Sequence, residues 1–455
     1  MSATPAQASS HVIAVIGAAT SGSEIARILA ERRSQVIVFE QNPRPYGKIE
    51  DGLPRWHVKQ RREEYEEINQ RLDHPNIHFV PLTRMGRDVD FKDLREAWGL
   101  NAIVLTNGAW RDRPFPVDGA ERFVDRGLVY QNPLIYWFNH YLEAAYDGPR
   151  YQLMPGVTVV GGGLASIDVV KVLQIEVTLD ALKRRGITED MVRLEREGID
   201  AVLKQHSLSW AELGVAPCTL HYRRRVLDMP LSDIAPDATP KRAEAMRQAR
   251  AKILDKAQRK FLFEFRELSV PTGLIADGDR LTGLRMSRTA VADGKVSVVP
   301  DSAQPVLAPL VISSIGSIPE PIPGIAQRGE VYEYADAAVG LLMEGATAVY
   351  AAGNVLTGKG NIKDSLVSGS HIGTHIAEAY LGLADEGMRE PLTESMREIA
   401  HMEGLRMAAS IGARAPLPAA RIAEIFGRVR ARQQAVGYTG DYRGWIKKVT
   451  PPDLH

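Results

Sequence analysis

Two glycine-rich turns, each placed directly after an apolar run, restrict this 455-residue chain more than any other feature. The first run, Val12 to Ile16, leads into Gly17-Ala18-Ala19-Thr20-Ser21-Gly22 and a helical stretch from Ser23. The second, Val157 to Val160, leads into Gly161-Gly162-Gly163-Leu164-Ala165-Ser166. Strand, tight turn and helix is the order that a nucleotide diphosphate needs. Free N–H groups and the positive dipole end of the helix face the anion, and glycines let the backbone approach it. Two such units in one chain predict an α/β protein with two Rossmann-like dinucleotide-binding domains.

The chemistry after each turn differs. The first helix is followed by the strand Gln35 to Phe39 with Glu40 at its end. An acid about 20 residues beyond the turn can accept the ribose hydroxyls of an adenosine. The alternative for Glu40 is a solvated carboxylate at a strand end. Ala19 stands where the middle glycine of the fingerprint belongs, so its methyl group is expected to crowd the diphosphate. After the second turn a long charged helical stretch runs to about Trp210, and the next strand, Cys218 to Tyr222, ends in Arg223-Arg224-Arg225. Arginine in place of an acid favours a 2′-phosphate, unless the three are simply solvated. The first site therefore reads as an FAD site and the second as an NADP(H) site, in a flavoprotein that passes electrons between the two.

Two further apolar strands end in small-residue turns and look like crossing points between domains: Ala102 to Leu105 with Thr106-Asn107-Gly108, and Leu310 to Gly316. A last strand, Ala348 to Ala352, leads to Gly353-Asn354. This order predicts a discontinuous FAD domain, residues 1–110 and 340–411, interrupted by an NADP(H) domain, residues 111–339. Residues 412–455 are an Arg-rich extension of unread role, either a packed tail or an oligomer or partner contact.

Lys plus Arg and Asp plus Glu number 56 each, so no global field points to nucleic acid or an anionic membrane. Cys218 is the sole cysteine, which excludes a redox disulfide, a Cys-ligated iron–sulfur cluster and a Cys-rich zinc site carried by this chain alone. No metal is expected. Met1 to Ser10 has no apolar core, and no run reaches the roughly 18 apolar residues of a membrane span, so a cytoplasmic location is expected.

Several stretches together resemble the adrenodoxin reductase-like ferredoxin NADP reductases, which are related to the small subunit of glutamate synthase. They are Pro45-Tyr46-Gly47 with Gly52-Leu53-Pro54-Arg55-Trp56-His57, Gly86-Arg87-Asp88-Val89, Trp137-Phe138-Asn139, the Gly161 turn with Ala165-Ser166-Ile167-Asp168, Arg223-Arg224, and Ser313-Ser314-Ile315-Gly316. The resemblance runs from about residue 12 to 380 and implies bound FAD and NADP(H) without redox cysteines. It implies that FAD is contacted by Gly17, Ala19, Ser21, Gly22, Glu40, Gly47, Gly108, Gly353, Asn354, Gly360, Asn361 and Ile362. NADP would meet Gly161, Gly163, Leu164, Ala165, Arg223 and Arg224. His57 would lie near the isoalloxazine and relay protons or polarise it, the alternative being a packed or solvated histidine. Where the family has Gly-Trp and a Gly-Pro-Thr-Gly turn, this chain has Gly353-Asn354 and Leu356-Thr357-Gly358-Lys359-Gly360-Asn361-Ile362. Its Asp-His-Pro becomes Trp56-His57-Val58.

The expected partner is a ferredoxin or another iron–sulfur electron carrier. Residues 241–260 carry eight basic and two acidic side chains, a plausible landing surface for an acidic protein or else a solvated helix. Three functions compete: a free-standing NADPH–ferredoxin reductase, the flavin subunit of an oxoacid:ferredoxin or glutamate synthase-type complex, and a non-catalytic nucleotide-binding scaffold.

Overall fold

Alternate residues of four short buried strands point to opposite faces, and each face is covered by its own apolar layer. Ile13, Val15, Val36, Val38 and Val104 face one layer, with Ile25, Leu29, Met407 and Trp445. Val12, Ala14, Ile16, Ile37 and Phe39 face the other, with Phe91, Trp98, Ile425 and Val429. A strand buried on both faces reads as a continuous apolar run, the mark of a parallel sheet between helices. The computed structural model describes residues 11–144, 146–231, 234, 238–353 and 392–451.

The first sheet has six strands in the order Leu341–Met343, Ala348–Ala351, Ala102–Leu105, Val12–Ile16, Gln35–Phe39 and Ile77–Val80. All neighbours are parallel except the edge strand Leu341–Met343. The second sheet is wholly parallel, in the order Leu128–Tyr130, Val311–Ser314, Thr158–Gly161, Thr219–His221 and Glu264–Arg266. Its strands lie in the chain between Ala102–Leu105 and Ala348–Ala351, so the second dinucleotide-type unit is inserted into the first, as the order of motifs predicted. An antiparallel sheet of Ser269–Asp277, Arg280–Ala292, Lys295–Val298 and Gln304–Leu307 extends the inserted unit. The chain crosses between units as a small antiparallel ribbon that pairs Asp112 with Ser317 and Arg111 with Ile318.

The C-terminal helices pack on the first unit. Leu392–Gly412 lies along Thr20–Glu31, and Ala419–Ala435 covers the opposite face, where Arg432 donates to the Leu82 carbonyl at 2.8 Å and to Thr83 Oγ1 at 2.9 Å. Tyr442–Val449 buries Tyr442, Trp445 and Ile446, and the Val449 carbonyl accepts from Arg44. Among the described residues no helix is long and apolar enough to cross a membrane.

The two units are joined beneath the crossing ribbon by polar contacts. Asn139 Nδ2 donates to the carbonyls of Glu50 and Leu53, and His140 Nε2 lies 2.9 Å from Asp51 Oδ1 while its Nδ1 lies 2.7 Å from Glu143 Oε1. Burial opposes charge on His140, but Asp51 and Glu143 outweigh it and push its pKa up to about 9. The protonated imidazole is therefore bound more tightly in the folded chain than in the unfolded one, where it titrates at about 6.5. Its contribution, on the order of 3 kcal/mol, is full below about pH 6.5 and is lost as pH rises through about 9. Thermal melts between pH 7 and about 9.5 should show the midpoint falling, and His140→Gln should flatten that dependence. Parallel curves for the two proteins would remove His140 from this role.

Candidate functional site

A cleft crosses the C-terminal ends of the first sheet, which is where ligands bind in open parallel sheets. Along it lie Thr83 to Gly86 after the strand Ile77–Val80, Glu40 to Asn42 after Gln35–Phe39, Gly17 to Ser21 after Val12–Ile16, and Thr106 to Gly108 with Trp110 after Ala102–Leu105. Gly47, Lys48, Phe91 and Glu320 to Pro323 complete the lining. Gly17, Ala19, Ser21, Glu40, Gly47 and Gly108, named from the sequence as FAD contacts, are thus brought to one cleft.

The first turn is shaped by two close approaches. Gly17 has φ +97°, and a Cβ there would stand 2.7 Å from the Thr106 carbonyl oxygen. A Cβ on Gly22 would stand 1.9 Å from the Gly17 oxygen, so only glycine lets the helix Thr20–Glu31 start against the strand. Gly22 serves packing and does not itself line the cleft. The N–H groups of the first helical turn have no acceptor within the helix and point to where an anion can sit. The Ala19 methyl lies on the Gly47 side: a Cβ on residue 47 would come within 2.8 Å of it, so the glycine at 47 is what accommodates alanine at 19. Gly353 lies beside the same turn, with a Cβ position 2.5 Å from Ser21 Oγ, and its N–H donates to Glu403 Oε2 at 3.1 Å. Asn354, Gly360, Asn361 and Ile362 lie outside the described residues.

Glu40 is 4% exposed. Its Oε2 accepts the Ala18 N–H at 3.0 Å and its Oε1 accepts the Asn42 N–H at 2.9 Å. The side chain therefore ties the phosphate turn to the strand end as well as lining the cleft. Burial pushes its pKa up to about 7, with the charge of Asp51 adding to the rise and the two N–H donors opposing it.

Two charged groups carry no signal in the sequence: Lys48, in the lining at the other end of the cleft, and Asp112, in the crossing ribbon and outside that lining. Lys48 Nζ is 3.5 Å from Asn132 Oδ1, 3.4 Å from Ser317 Oγ and 5.3 Å from the centre of the Trp110 ring. Asp112 accepts the Asn132 N–H at 3.3 Å. Burial pushes Lys48 down to about 8, opposed by Asp112, and pushes Asp112 up to about 6, opposed by the Asn132 N–H and by Lys48. No local pattern marks Lys48: its partners come from residues 84 and 269 positions away in the chain.

His57 does not line this cleft. It stands at the N-terminus of the helix Val58–Leu72, beside Trp56, near the buried Lys171–Glu195 ion pair of 3.0 Å. Burial pushes the Glu195 carboxyl up, but Lys171, Lys260 and His57 outweigh it and hold it below its ordinary range. Cys218 is buried, and burial pushes its thiol pKa up, so it is a packing residue.

The second turn is open on one side only. A Cβ on Gly161 would stand 2.3 Å from the Ser314 oxygen, and one on Gly162 would stand 2.1 Å from the Tyr222 ring, whereas nothing lies within 4 Å of a Cβ on Gly163. Gly163 caps the 20-residue helix Leu164–Lys183, whose first N–H groups, those of Leu164 and Ala165, have no acceptor within the helix. The Leu164 side chain is core. The neighbouring strand Thr219–His221 delivers the arginines. Arg225 is bound to Asp228 at 2.9 Å, while Arg223 and Arg224 have no ion pair among the described residues. Those two are the arginines available to a ligand.

Such a pair of units, one inserted in the other and each with a glycine turn opening a helix, defines the two-domain dinucleotide-binding fold. No protein-family profile matches the chain. It is similar to cindoxin reductase of Citrobacter braakii, 24% identical over 163 residues, or 35% of this chain and 34% of that protein. It is also similar to the glutamate synthase [NADPH] small chain of Halomonas elongata, 25% identical over 326 residues, or 68% of this chain and 54% of that one. The chain thus spans about a fifth to a half of the length of the curated relatives it matches. The structure of Mycobacterium tuberculosis FprA in complex with NADPH superposes with a TM-score of 0.62 at 16% identity, covering 93% of this chain and 90% of that one, which shows the fold. These likenesses bear out the resemblance read from the motifs.

Proposed function

We propose that this chain is an FAD-dependent oxidoreductase that moves hydride between NADP(H) and the flavin and single electrons between the flavin and a ferredoxin-like iron–sulfur carrier. The observation that carries the reading is the cleft itself. Residues from four successive strand ends line it, and the N–H groups of an open helix turn and a buried strand-end acid are both in it. This fits FAD. The N–H groups of Thr20 and Ser21 receive the diphosphate, Glu40 takes the ribose, and Phe91 and Ile322 keep water from the cleft. In the inserted unit the N–H groups of Leu164 and Ala165 receive the second diphosphate, and Arg223 and Arg224 hold the 2′-phosphate. Bound flavin accepts a hydride as an electron pair and passes the electrons on singly, which nicotinamide cannot do. His57, close to Glu195 and Lys171, is suited to hold or move a proton beside the flavin domain and not inside the cleft. The reducing cytoplasm suits a chain whose one cysteine is buried.

A second reading, the flavin subunit of a larger complex, is favoured by one observation: a relative aligned over 326 residues is a glutamate synthase small chain. In both readings electrons leave for an external centre. The helix Pro240–Phe261 buries Met246, Ile253, Leu254, Ala257 and Phe261 and leaves Lys241, Arg242 and Lys252 exposed, while Arg247 is engaged by Glu244 and Arg250 by the Leu227 carbonyl. NADPH-driven ferredoxin reduction should slow as salt rises past about 0.1 M, where the Debye length is about 10 Å. Arg242→Glu with Lys252→Glu should slow it further while hydride transfer to the flavin keeps its rate. A double variant with the wild-type rate and salt slope would mean that the helix is only solvated.

A further inference from the structure

The end of the cleft near the inserted unit holds a cation, Lys48, that no carboxylate touches directly among the described residues. Lys48 opens the short helix Lys48–Asp51, and its side chain is drawn inward, not into solvent, by Asn132, Ser317 and the face of Trp110. These anchors are themselves fixed. Asn132 Nδ2 donates to the Trp110 carbonyl at 3.0 Å and to Ser317 Oγ at 3.0 Å, and Ser317 is paired with Asp112 in the crossing ribbon. Both direct partners of the ammonium are neutral and at long range, and no carboxylate lies within 4 Å of it among the described residues. Lys48 is half-buried where it lines the cleft, and a partly desolvated ammonium without a close counter-charge is costly unless something negative arrives.

Strand order says what arrives. Glu40 and the turn Thr83 to Gly86 follow strands on one side of the phosphate turn, whereas Trp110, beside Lys48, follows the strand on the other side. A dinucleotide with its adenosine at Glu40 and its diphosphate at Gly17 to Ser21 extends its second half toward Lys48. We propose that Lys48 meets the ring of bound FAD and sets its reduction potential by stabilising the negative charge of the reduced flavin. The inference rests on the FAD reading above. Burial that pushes the lysine down to about 8 still leaves it a cation at neutral pH, and Asp112 moderates its charge.

The test uses purified protein as it carries its own flavin. The flavin midpoint potential is measured against reference dyes, and sulfite, an anion that adds to oxidised flavin and leaves the ring negative, is titrated by the bleaching of the visible band. Lys48→Met should bind sulfite about 10-fold more weakly and shift the potential down by the equivalent of about 30 mV for a two-electron couple. Lys48→Arg should restore both. Asp112→Asn, which removes the moderating charge, should move both in the opposite direction, and it provides the answer if Lys48→Met does not hold flavin. Flavin-loaded variants with unchanged potential and sulfite affinity would overturn the role of Lys48 while leaving the FAD site intact. A wild-type protein that binds no FAD would overturn the site and, with it, this inference.

Discussion

Glu40→Arg protein is expected to purify with less than about a tenth of the wild-type flavin content. Two losses combine. The acid proposed to take the ribose is gone, and so are the acceptors that hold the Ala18 and Asn42 N–H groups at 3.0 and 2.9 Å. Each such hydrogen bond is worth about 1 kcal/mol, and more while Glu40 is ionised, so their loss loosens the turn that should hold the diphosphate. A guanidinium also places positive charge against the positive end of the helix Thr20–Glu31. Glu40→Gln, which keeps the size and one acceptor oxygen, should retain most of the flavin. The ratio of visible flavin absorbance to protein absorbance decides it, and full retention in Glu40→Arg would take Glu40 out of the site.

Replacing Arg223 and Arg224 together by alanine should lower kcat/KM for NADPH by about 100-fold and leave NADH nearly unchanged. Each charge-assisted contact to a phosphate is worth about 1.5 to 3 kcal/mol, and every 1.4 kcal/mol is tenfold. Arg225 is the internal control. It is engaged by Asp228, so Arg225→Ala should change the nucleotide preference little. Steady-state rates with both nucleotides check this, and a wild-type preference for NADH, or an equal effect at Arg225, would show that the arginines do not read a 2′-phosphate.

What the sequence discloses about this molecule follows from how local each signal is. The strands Val12–Ile16 and Gln35–Phe39 are legible because burial on both faces makes every residue but Gln35 apolar, and the turns are legible because glycine is required at contacts within a few residues or across one sheet. The insertion is legible from the order of those runs. The antiparallel sheet from Ser269 to Leu307 is not: its strands are partly exposed, and Gly283, Ser287 and Thr289 stand at buried positions where apolar residues would mark the alternation. The C-terminal segment reads as Arg-rich and helix-like, but where it docks is not marked, since the helix Ala419–Ala435 buries only Ile425 and Val429 and is fixed in part by Arg432 and Gln433 donating to the strand region Phe79 to Thr83. Lys48 sits inside a motif stretch, yet its inward placement depends on Asn132 and Ser317, which only the tertiary fold brings near. His57 shows the reverse case, a residue noticed by resemblance that the fold sets beside Glu195 and Lys171 and outside the cleft lining.

The central claim is that one chain holds FAD in the first cleft and takes hydride from NADPH at the second turn, and an anaerobic titration of the purified protein tests it most directly. The expected result is a yellow protein with about one flavin per chain whose visible band bleaches on adding about one equivalent of NADPH, with NADH much slower at the same concentration. A colourless protein that does not take up added FAD, or a bound flavin that NADPH leaves oxidised, would contradict it.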